Sequence, residues 1–266
     1  MATVRFTLMG CGGSAGVPLG ANWWGECDPN EPKNRRQRSA AFIQSDTTDI
    51  LIDAGPDVRN QLILLDHQKI DHLILTHEHS DHVAGLDDLR FYVYHQKSQM
   101  PVTTLKRTAD AVQQRLPHVF ETMSPLYPAL FDMQILPDLP FKVMVGDIAL
   151  EFFEQPHGDI TSLGVIVADK LVYSTDCVNL PDTTLEMIAS KKPEVWIVDA
   201  AVKRPHYSHS HIEQSIEWIK RVGAKQNILT HLGHFIDYQW LRELTVDIIP
   251  STEPAYDGMS WSFDLS

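Results

Sequence analysis

Short apolar runs rich in β-branched residues recur along the chain, and most of them end at a glycine, an aspartate or a polar turn. Their length and composition predict β-strands. In the first half of the chain the predicted strands cover residues 4–10, 40–46, 49–55 and 72–77. In the second half they cover residues 148–155, 162–169, 170–176, 195–200 and 227–232.

Patterns with helical periodicity lie between these strands. The pattern at 56–66 begins with a proline, and the pattern at 211–223 has apolar residues on one face before a terminal glycine. A third helix is predicted at 181–192. Two halves of strands with interleaved helices predict an α/β protein in which two sheets pack face to face with helices outside, a four-layer arrangement. Because no repeat or linker divides the chain, residues 1–266 are predicted to form a single domain.

Composition and charge narrow the classes of function. Hydrophobic residues make up 43% of the chain, as expected for a packed globular protein. The net charge of −13, from 22 basic and 35 acidic residues, repels polyanions and argues against a large nucleic acid or a membrane surface as partner. Cys11, Cys27 and Cys177 are too few for a disulfide framework. Together with the lack of a signal-like or membrane-spanning run, they predict a cytoplasmic protein.

The stretch THEHSDH at residues 76–82 carries the strongest chemical signal, because His77, His79, Asp81 and His82 lie close together in it. At the end of a strand, His77 and His79 project to the same side and can bind one metal ion. Asp81 and His82 lie at the turn into a helix predicted to begin near residue 83, where they can reach a second ion. The stretch therefore predicts half of a dinuclear metal site.

Three later residues stand where apolar runs stop, and they are candidates to complete this site: His157, Asp176 and His231. Each one alone has an ordinary alternative as a loop residue or a helix cap. The same half of the chain also carries His206, His209, His211 and His234. Matching positions at strand ends, following so rare a motif, favour the ligand interpretation for the three.

Asp53 also ends a predicted strand, with apolar neighbours that predict burial. A buried carboxylate needs a partner, and the free ring N–H of a metal-bound histidine is a suitable one. Asp53 is therefore predicted to orient a metal ligand, with backbone capping as the alternative.

In their order along the chain, LIDAG, THEHSDH, a lone histidine, STD and LTH resemble the motifs of the metallo-β-lactamase-fold hydrolases. The resemblance spans nearly the whole chain and implies an αββα sandwich with two divalent ions in a cleft at one edge. The implied ligands are His77, His79 and His157 for the first ion and Asp81, His82 and His231 for the second. Asp176 is implied to bridge both ions.

Within that superfamily the chain is most similar to phosphodiesterases of the PhnP type, which act on cyclic ribose phosphates. The shared segments are GCGGSAGVP, NRRQRSA, HSHIE, LTHLGH and DGM. The likeness implies that His209 acts on the leaving group, and His206 and His211 are alternatives for this role. Asp81 is the other residue predicted to take part in catalysis, at the metal pair. Additional candidates for contact with ligand or substrate are Arg38, His211 and His234. Enzymes of that type bind an additional structural zinc through closely spaced cysteines. Here most of those cysteines are missing, since only Cys27 lies in the corresponding region.

These features predict a hydrolase for a small cyclic or nucleotide-like phosphodiester. Two ions, zinc or manganese, would deprotonate a shared water and neutralise the phosphoryl oxygens. A tRNA 3′-processing endonuclease would need a basic arm, which an acidic chain without such an insertion does not offer. A thioesterase or lactonase, and a non-catalytic nucleotide-binding module, remain open. Trp23 and Trp24 in a polar loop indicate a pocket wall or a contact surface, and a homodimer is one assembly that such a surface allows.

Overall fold

Two seven-stranded mixed β-sheets form the centre of the protein in a computed structural model that describes residues 3–67 and 69–264. The first sheet has the order β14-β1-β2-β3-β4-β5-β6. Its strands are β1 (Thr3–Gly10), β2 (Ala40–Gln44), β3 (Asp49–Ile52), β4 (His72–Ile74), β5 (Met100–Thr104), β6 (Phe131–Ile135) and β14 (Met259–Asp264).

The second sheet has the order β13-β12-β11-β10-β9-β8-β7. Its strands are β7 (Phe141–Val145), β8 (Ile148–His157), β9 (Ile160–Val167), β10 (Leu171–Ser174), β11 (Val195–Asp199), β12 (Gln226–Thr230) and β13 (Thr252–Pro254). In each sheet one end is antiparallel and the other parallel, with β3 to β6 parallel in the first and β10 to β13 parallel in the second.

Helices cover the outer faces of the sheets. They are α1 (Val58–Leu65), α2 (Ser80–Val83), α3 (Arg90–Gln96), α4 (Lys106–Arg115), α5 (Pro117–Phe120), α6 (Asp182–Ser190), α7 (Ile212–Val222) and α8 (Tyr238–Val246). Short 3-10 turns lie at Gly20–Asn22, Pro32–Asn34 and Leu86–Leu89. Among the described residues, no helix is both long and apolar enough to span a bilayer.

The apolar residues separate into three cores because neighbouring strand residues point to opposite faces of a sheet. In β3, Ile50 and Ile52 enter the core between the two sheets, whereas Leu51 enters the outer core beneath α1. Trp196 of β11 and Ile219 of α7 belong to the third core, on the outer face of the second sheet. This layering confirms the predicted αββα sandwich.

Several boundaries differ from the sequence-based prediction. The strand predicted at 72–77 ends at Ile74, so His77 stands in an extended loop rather than at a strand end. A helix already begins at Ser80, three residues earlier than predicted, and it contains Asp81 and His82. The prediction had no strands at β5, β6, β7, β13 and β14, since these elements are short or half-exposed and lack a continuous apolar run.

Candidate metal centre

The predicted ligands lie together at one edge of the sandwich, and the strand directions explain why. Parallel strands end at a common edge, which brings the segments after β3 and β4 together, as well as those after β10, β11 and β12. β8 and β10 both run antiparallel to β9, so they also point the same way. His157, the last residue of β8, therefore emerges beside Asp176, which follows β10.

Four overlapping groups of side chains could hold a metal ion, and two of them together contain all seven predicted ligands. His77, His79 and His157 form the first of these two. The Nδ1 atom of His79 lies 3.1 Å from Nε2 of His157. Tetrahedral ligands with bonds of about 2.1 Å to zinc stand about 3.4 Å apart, so this spacing suits a shared ion. His77 and His157 are buried, whereas His79 is exposed at the mouth of the site.

Asp81, His82, Asp176 and His231 form the second group. Asp176 Oδ2 lies 3.3 Å from His82 Nε2, and Asp176 Oδ1 lies 3.1 Å from His231 Nε2. The same Oδ1 atom is 3.9 Å from Nε2 of both His77 and His157 in the first group. Asp176 thus lies between the two groups, at the position where a carboxylate can contact two ions.

Unpartnered ring nitrogens show that these residues fit metal ions. Among the described residues, the buried Nε2 atoms of His77, His82 and His231 have no hydrogen-bond partner. A buried polar atom without a partner costs free energy, and a bound cation removes that cost. The His157 Nδ1–H donates to the Ser208 carbonyl at 2.7 Å, which in the neutral ring leaves Nε2 free as a ligand.

Charge at the site also favours cations. Burial is the main cause that lowers the pKa values of His77, His79 and His157, and it keeps these rings neutral, as metal ligands must be. Burial by itself would raise the pKa of Asp176, but the neighbouring His231 and His82 lower it well below its usual range. The carboxylates at the second group are therefore ionised, and a divalent cation would balance them.

Asp53 binds the His82 ring at Nδ1, the nitrogen other than the candidate ligand atom Nε2. Its Oδ2 accepts the His82 Nδ1–H at 2.7 Å and the Thr76 hydroxyl at 2.8 Å, while Oδ1 accepts the Thr76 backbone N–H at 2.8 Å. Asp53 is fully buried. These contacts hold the His82 ring and the Thr76 backbone, and His82 Nε2 lies 3.3 Å from Asp176. That Asp53 orients a metal ligand stays a prediction.

Three residues of this edge have a strained backbone. Asp53, Asp176 and His231 have φ angles of 63°, 53° and 60°, in the left-handed region that non-glycine residues rarely adopt. Each of them comes directly or shortly after a strand, so the chain turns sharply there and directs its side chain into the site. Such strain persists where the surrounding contacts hold it, and it often marks functional positions.

His209 lies at the border of both groups. Its ring stacks on His231 with centroids 4.7 Å apart, and its Nδ1–H donates to Asp199 Oδ2 at 3.0 Å. Burial alone would lower the pKa of His209, but the Asp199 and Asp176 carboxylates raise it to about 9. His206 is exposed, with its ring 5.6 Å from that of His209. Of the two, His209 is therefore the one that contacts the candidate metal centre.

The other predicted contact residues lie outside these groups. The Arg38 side chain pairs with Asp57 at 2.9 Å, so its charge is already partnered. His211 precedes α7 and bonds through its carbonyl to Ser215. The His234 ring packs against Trp23 with centroids 5.0 Å apart. Among the described residues, no group of ligating side chains contains Cys27 or His234.

Residues 48–232 match the model of the beta-lactamase superfamily domain, which covers more than half of the chain. The protein belongs to the beta-lactamase superfamily. Asp53 and the side chains of both ligand groups lie within the matched residues, from Asp53 to His231. A superfamily of hydrolases and a cluster of this composition together support a metal-dependent hydrolase.

Several solved structures share the fold of this protein. A diphosphatase from the PhnP family aligns with a TM-score of 0.86 and 24% identity, over 99% of this chain and 98% of that chain. Zinc-bound PqqB from Methylobacterium extorquens aligns with a TM-score of 0.76 and 17% identity, over 97% of this chain and 99% of that chain. At these identities the likeness concerns the fold.

A curated relative is an octanoyltransferase of Porphyromonas gingivalis (strain ATCC BAA-308 / W83), 31% identical over 264 residues. The match covers 98% of this chain but 52% of that protein. The chain therefore spans about half the length of this relative.

Two residues at the candidate metal centre of this protein were not predicted from the sequence. Asp199 ends β11 and binds His209, and it also accepts the Cys177 backbone N–H at 3.0 Å. Ser208 orients His157 through its carbonyl. The position of Asp199 at the end of a strand was a usable signal, because β11 lies between the strands that precede Asp176 and His231. A backbone carbonyl such as that of Ser208 leaves no signal in the sequence.

Gly55 permits the close approach of the turn after β3 to α2. A Cβ atom at this position would stand 1.9 Å from the carbonyl oxygen of Asp81. We expect Gly55→Ala to push α2 out of place, to lower the free energy of unfolding by about 1–3 kcal/mol and to weaken metal binding. Thermal unfolding and metal titration would measure both. Gly20→Ala is the matched control, since a Cβ there meets nothing within 4 Å, and equal behaviour of the two variants would contradict the prediction.

Proposed function

We propose that this protein is a phosphodiesterase that hydrolyses a small cyclic or nucleotide-like phosphodiester with two divalent ions, zinc or manganese. The observation that carries the proposal is the pair of ligand groups with Asp176 between them and His209 at their border. A phosphodiester has an anionic centre to neutralise and a basic leaving oxygen to protonate. The site has a group suited to each task.

Two divalent ions held by the seven side chains would supply an acidified water and would neutralise the phosphoryl oxygens. His77, His82 and His157 are held in one orientation by Thr76, Asp53 and Ser208, respectively. This support keeps the ligands in place without rearrangement during the reaction.

His209 is proposed to protonate the leaving oxygen. Its Nδ1 is engaged by Asp199, so the proton available for transfer is the one on Nε2. As water attacks phosphorus from the opposite side, the bond from phosphorus to the leaving oxygen breaks and that oxygen takes the Nε2 proton. Asp199 acts as a positioning residue that stabilises the protonated ring.

The overall charge fits a small substrate better than a long nucleic acid. A chain of net charge −13 repels an extended polyanion, whereas a single diester reaches a local cation site. The diphosphatase from the PhnP family is a structural neighbour that acts on phosphate compounds, and this agrees with phosphate chemistry here.

Hydrolysis of an acyl thioester is the second candidate, and the name of the Porphyromonas gingivalis relative favours an octanoyl group. The same acidified water would attack a carbonyl carbon, and a thiolate would leave. Because a thiol has a pKa of about 8.5, this leaving group needs no proton donor. The two candidates therefore differ in how much they require His209.

The test compares turnover of diesters with 4-nitrophenol and with alkyl alcohols as leaving groups, next to octanoyl thioesters, by metal-loaded protein. We expect His209→Ala to slow alkyl diesters about 100- to 10,000-fold and the 4-nitrophenyl diester much less, since nitrophenolate leaves unprotonated. His206→Ala is the matched control and is expected to retain full activity. Thioester turnover without diester turnover would refute the phosphodiesterase and favour the second candidate.

A further inference from the structure

A cavity of about 720 Å³ opens beside the segment that follows β1, outside the two ligand groups. Residues 15–18 form one wall. The charged side chains that line it are Lys33, Arg35, Arg36, Arg38, Asp57 and Asp257. Four cationic side chains against two carboxylates make a positive cavity in a protein of net charge −13.

Both carboxylates of this cavity are already engaged. Asp57 binds the Arg38 guanidinium at 2.9 Å and 3.1 Å. Asp257 accepts the backbone N–H groups of Cys11 at 3.0 Å and Gln37 at 2.8 Å. Among the described residues, Lys33 and Arg35 have no carboxylate within salt-bridge distance, so their charges face the cavity unbalanced.

The cations are held in fixed positions. The Lys33 ammonium lies 4.4 Å from the ring centroids of both Tyr238 and Tyr256 and donates to the Tyr238 hydroxyl at 2.9 Å. The Arg35 guanidinium packs over Trp24 at 5.1 Å. Side chains that are already ordered lose little entropy when a ligand binds.

Arg36 adds a buried donor. It is 2% exposed, and its terminal nitrogens donate to the carbonyl of Ile236 at 2.8 Å and to the amide oxygen of Asn34 at 3.0 Å. Among the described residues its Nε–H has no partner. A buried guanidinium without a carboxylate partner raises the local positive potential and favours an anion nearby.

The segment at residues 13–16 connects the surroundings of His231 to this cavity. A Cβ atom on Gly13 would stand 3.6 Å from the His231 ring, while Ala15 and Gly16 line the cavity on the other side. The intervening residues are small, so an extended ligand meets no large side chain from them.

We infer that this cavity is an anion site that binds a phosphate group of a small molecule. Arginine and lysine are suited to phosphate oxygens, and the surplus of two positive charges over the two carboxylates matches the charge of one phosphate. The phosphate has two conceivable sources: a distal phosphate of the substrate in the metal centre, or a separate phosphorylated molecule. Only the first source rests on the proposed phosphodiesterase function.

The first experiment measures binding of inorganic pyrophosphate by calorimetry at low salt, using the full chain stripped of metal with a chelator present. We expect Arg35→Gln and Lys33→Met each to weaken binding roughly tenfold, since each removes a charge-assisted contact. Arg221→Gln, an exposed arginine paired with Asp182 far along the chain, is the control and is expected to bind as the unaltered protein does. Equal affinity in all four proteins would overturn the anion site.

The second experiment separates the two sources with metal-loaded protein and a pair of diesters, one with an additional phosphate and one without. If the substrate supplies the phosphate, Arg35→Gln raises KM roughly tenfold for the first diester and leaves the second unchanged. If a separate molecule supplies it, both KM values stay constant while pyrophosphate binding is still weakened. Absence of any diester turnover would count against the phosphodiesterase alone, because pyrophosphate binding is measured without metal.

Discussion

Asp176→Ala is expected to lower phosphodiester turnover about 1,000-fold or more and to reduce the bound metal from two equivalents to one or fewer. The carboxylate is 1% exposed and lies within 4 Å of ring nitrogens from both ligand groups. Removing it takes a ligand from both ions at once, and metal-based charge stabilisation amounts to several kcal/mol. Steady-state kinetics and elemental analysis of metal content would measure the two effects.

Two further variants make this prediction sharp. Asp176→Asn keeps the size of the side chain, so a loss of metal in this variant reports the lost charge and not a collapsed cavity. Asp182→Ala removes an exposed carboxylate on α6 that pairs with Arg221, and it should leave metal content and turnover unchanged. An Asp176→Ala protein that keeps two ions and full turnover would refute the shared carboxylate.

Asp53→Asn is expected to weaken metal binding about 10- to 100-fold although Asp53 is itself no ligand. The carboxylate accepts three hydrogen bonds, two from Thr76 and one from His82. An amide has one acceptor oxygen and no negative charge, so at least one of the three donors loses its partner and the support of His82 is weakened. Competition with a chromophoric chelator would measure the affinity, and thermal unfolding would measure the accompanying loss of stability.

Asp49→Asn is the matched control on the same strand. Asp49 begins β3, is 5% exposed and pairs with His67 at 2.8 Å, at the opposite end from the candidate metal centre. We expect it to lower stability while leaving metal affinity unchanged. If both variants weakened metal binding equally, a general loss of packing in β3 would explain the result better than the orientation of His82.

The sequence motifs selected residues that the structure brings to one place, because metal binding needs particular atom types and these recur just after apolar runs. His157, Asp176 and His231 were chosen as residues at the ends of apolar runs, and the structure brings them together with His77 and His82. Their roles as ligands stay a prediction that the experiments above test. His77 lies at the site although β4 is shorter than predicted. The loop after Ile74 holds the His77 ring there through its contact with Thr76.

The basic segment at residues 34–38 offered the weakest basis for a prediction from the sequence. A cluster of arginines is normally solvated, whereas Arg36 is 2% exposed. Its burial depends on carbonyl oxygens that lie about 200 residues away along the chain, at Gly233 and Ile236. Arg38, a candidate for contact with ligand or substrate, is paired with Asp57.

By itself, the sequence determined the αββα layering and the set of metal-binding candidates, because periodicity decides which faces are buried and ligand chemistry restricts residue types. Only the tertiary structure decided that Asp199 positions His209 and that a positive cavity lies beside the two ligand groups. These features depend on distances between residues remote in sequence. Such distances are decided by how the two sheets pack, and local pattern does not encode them.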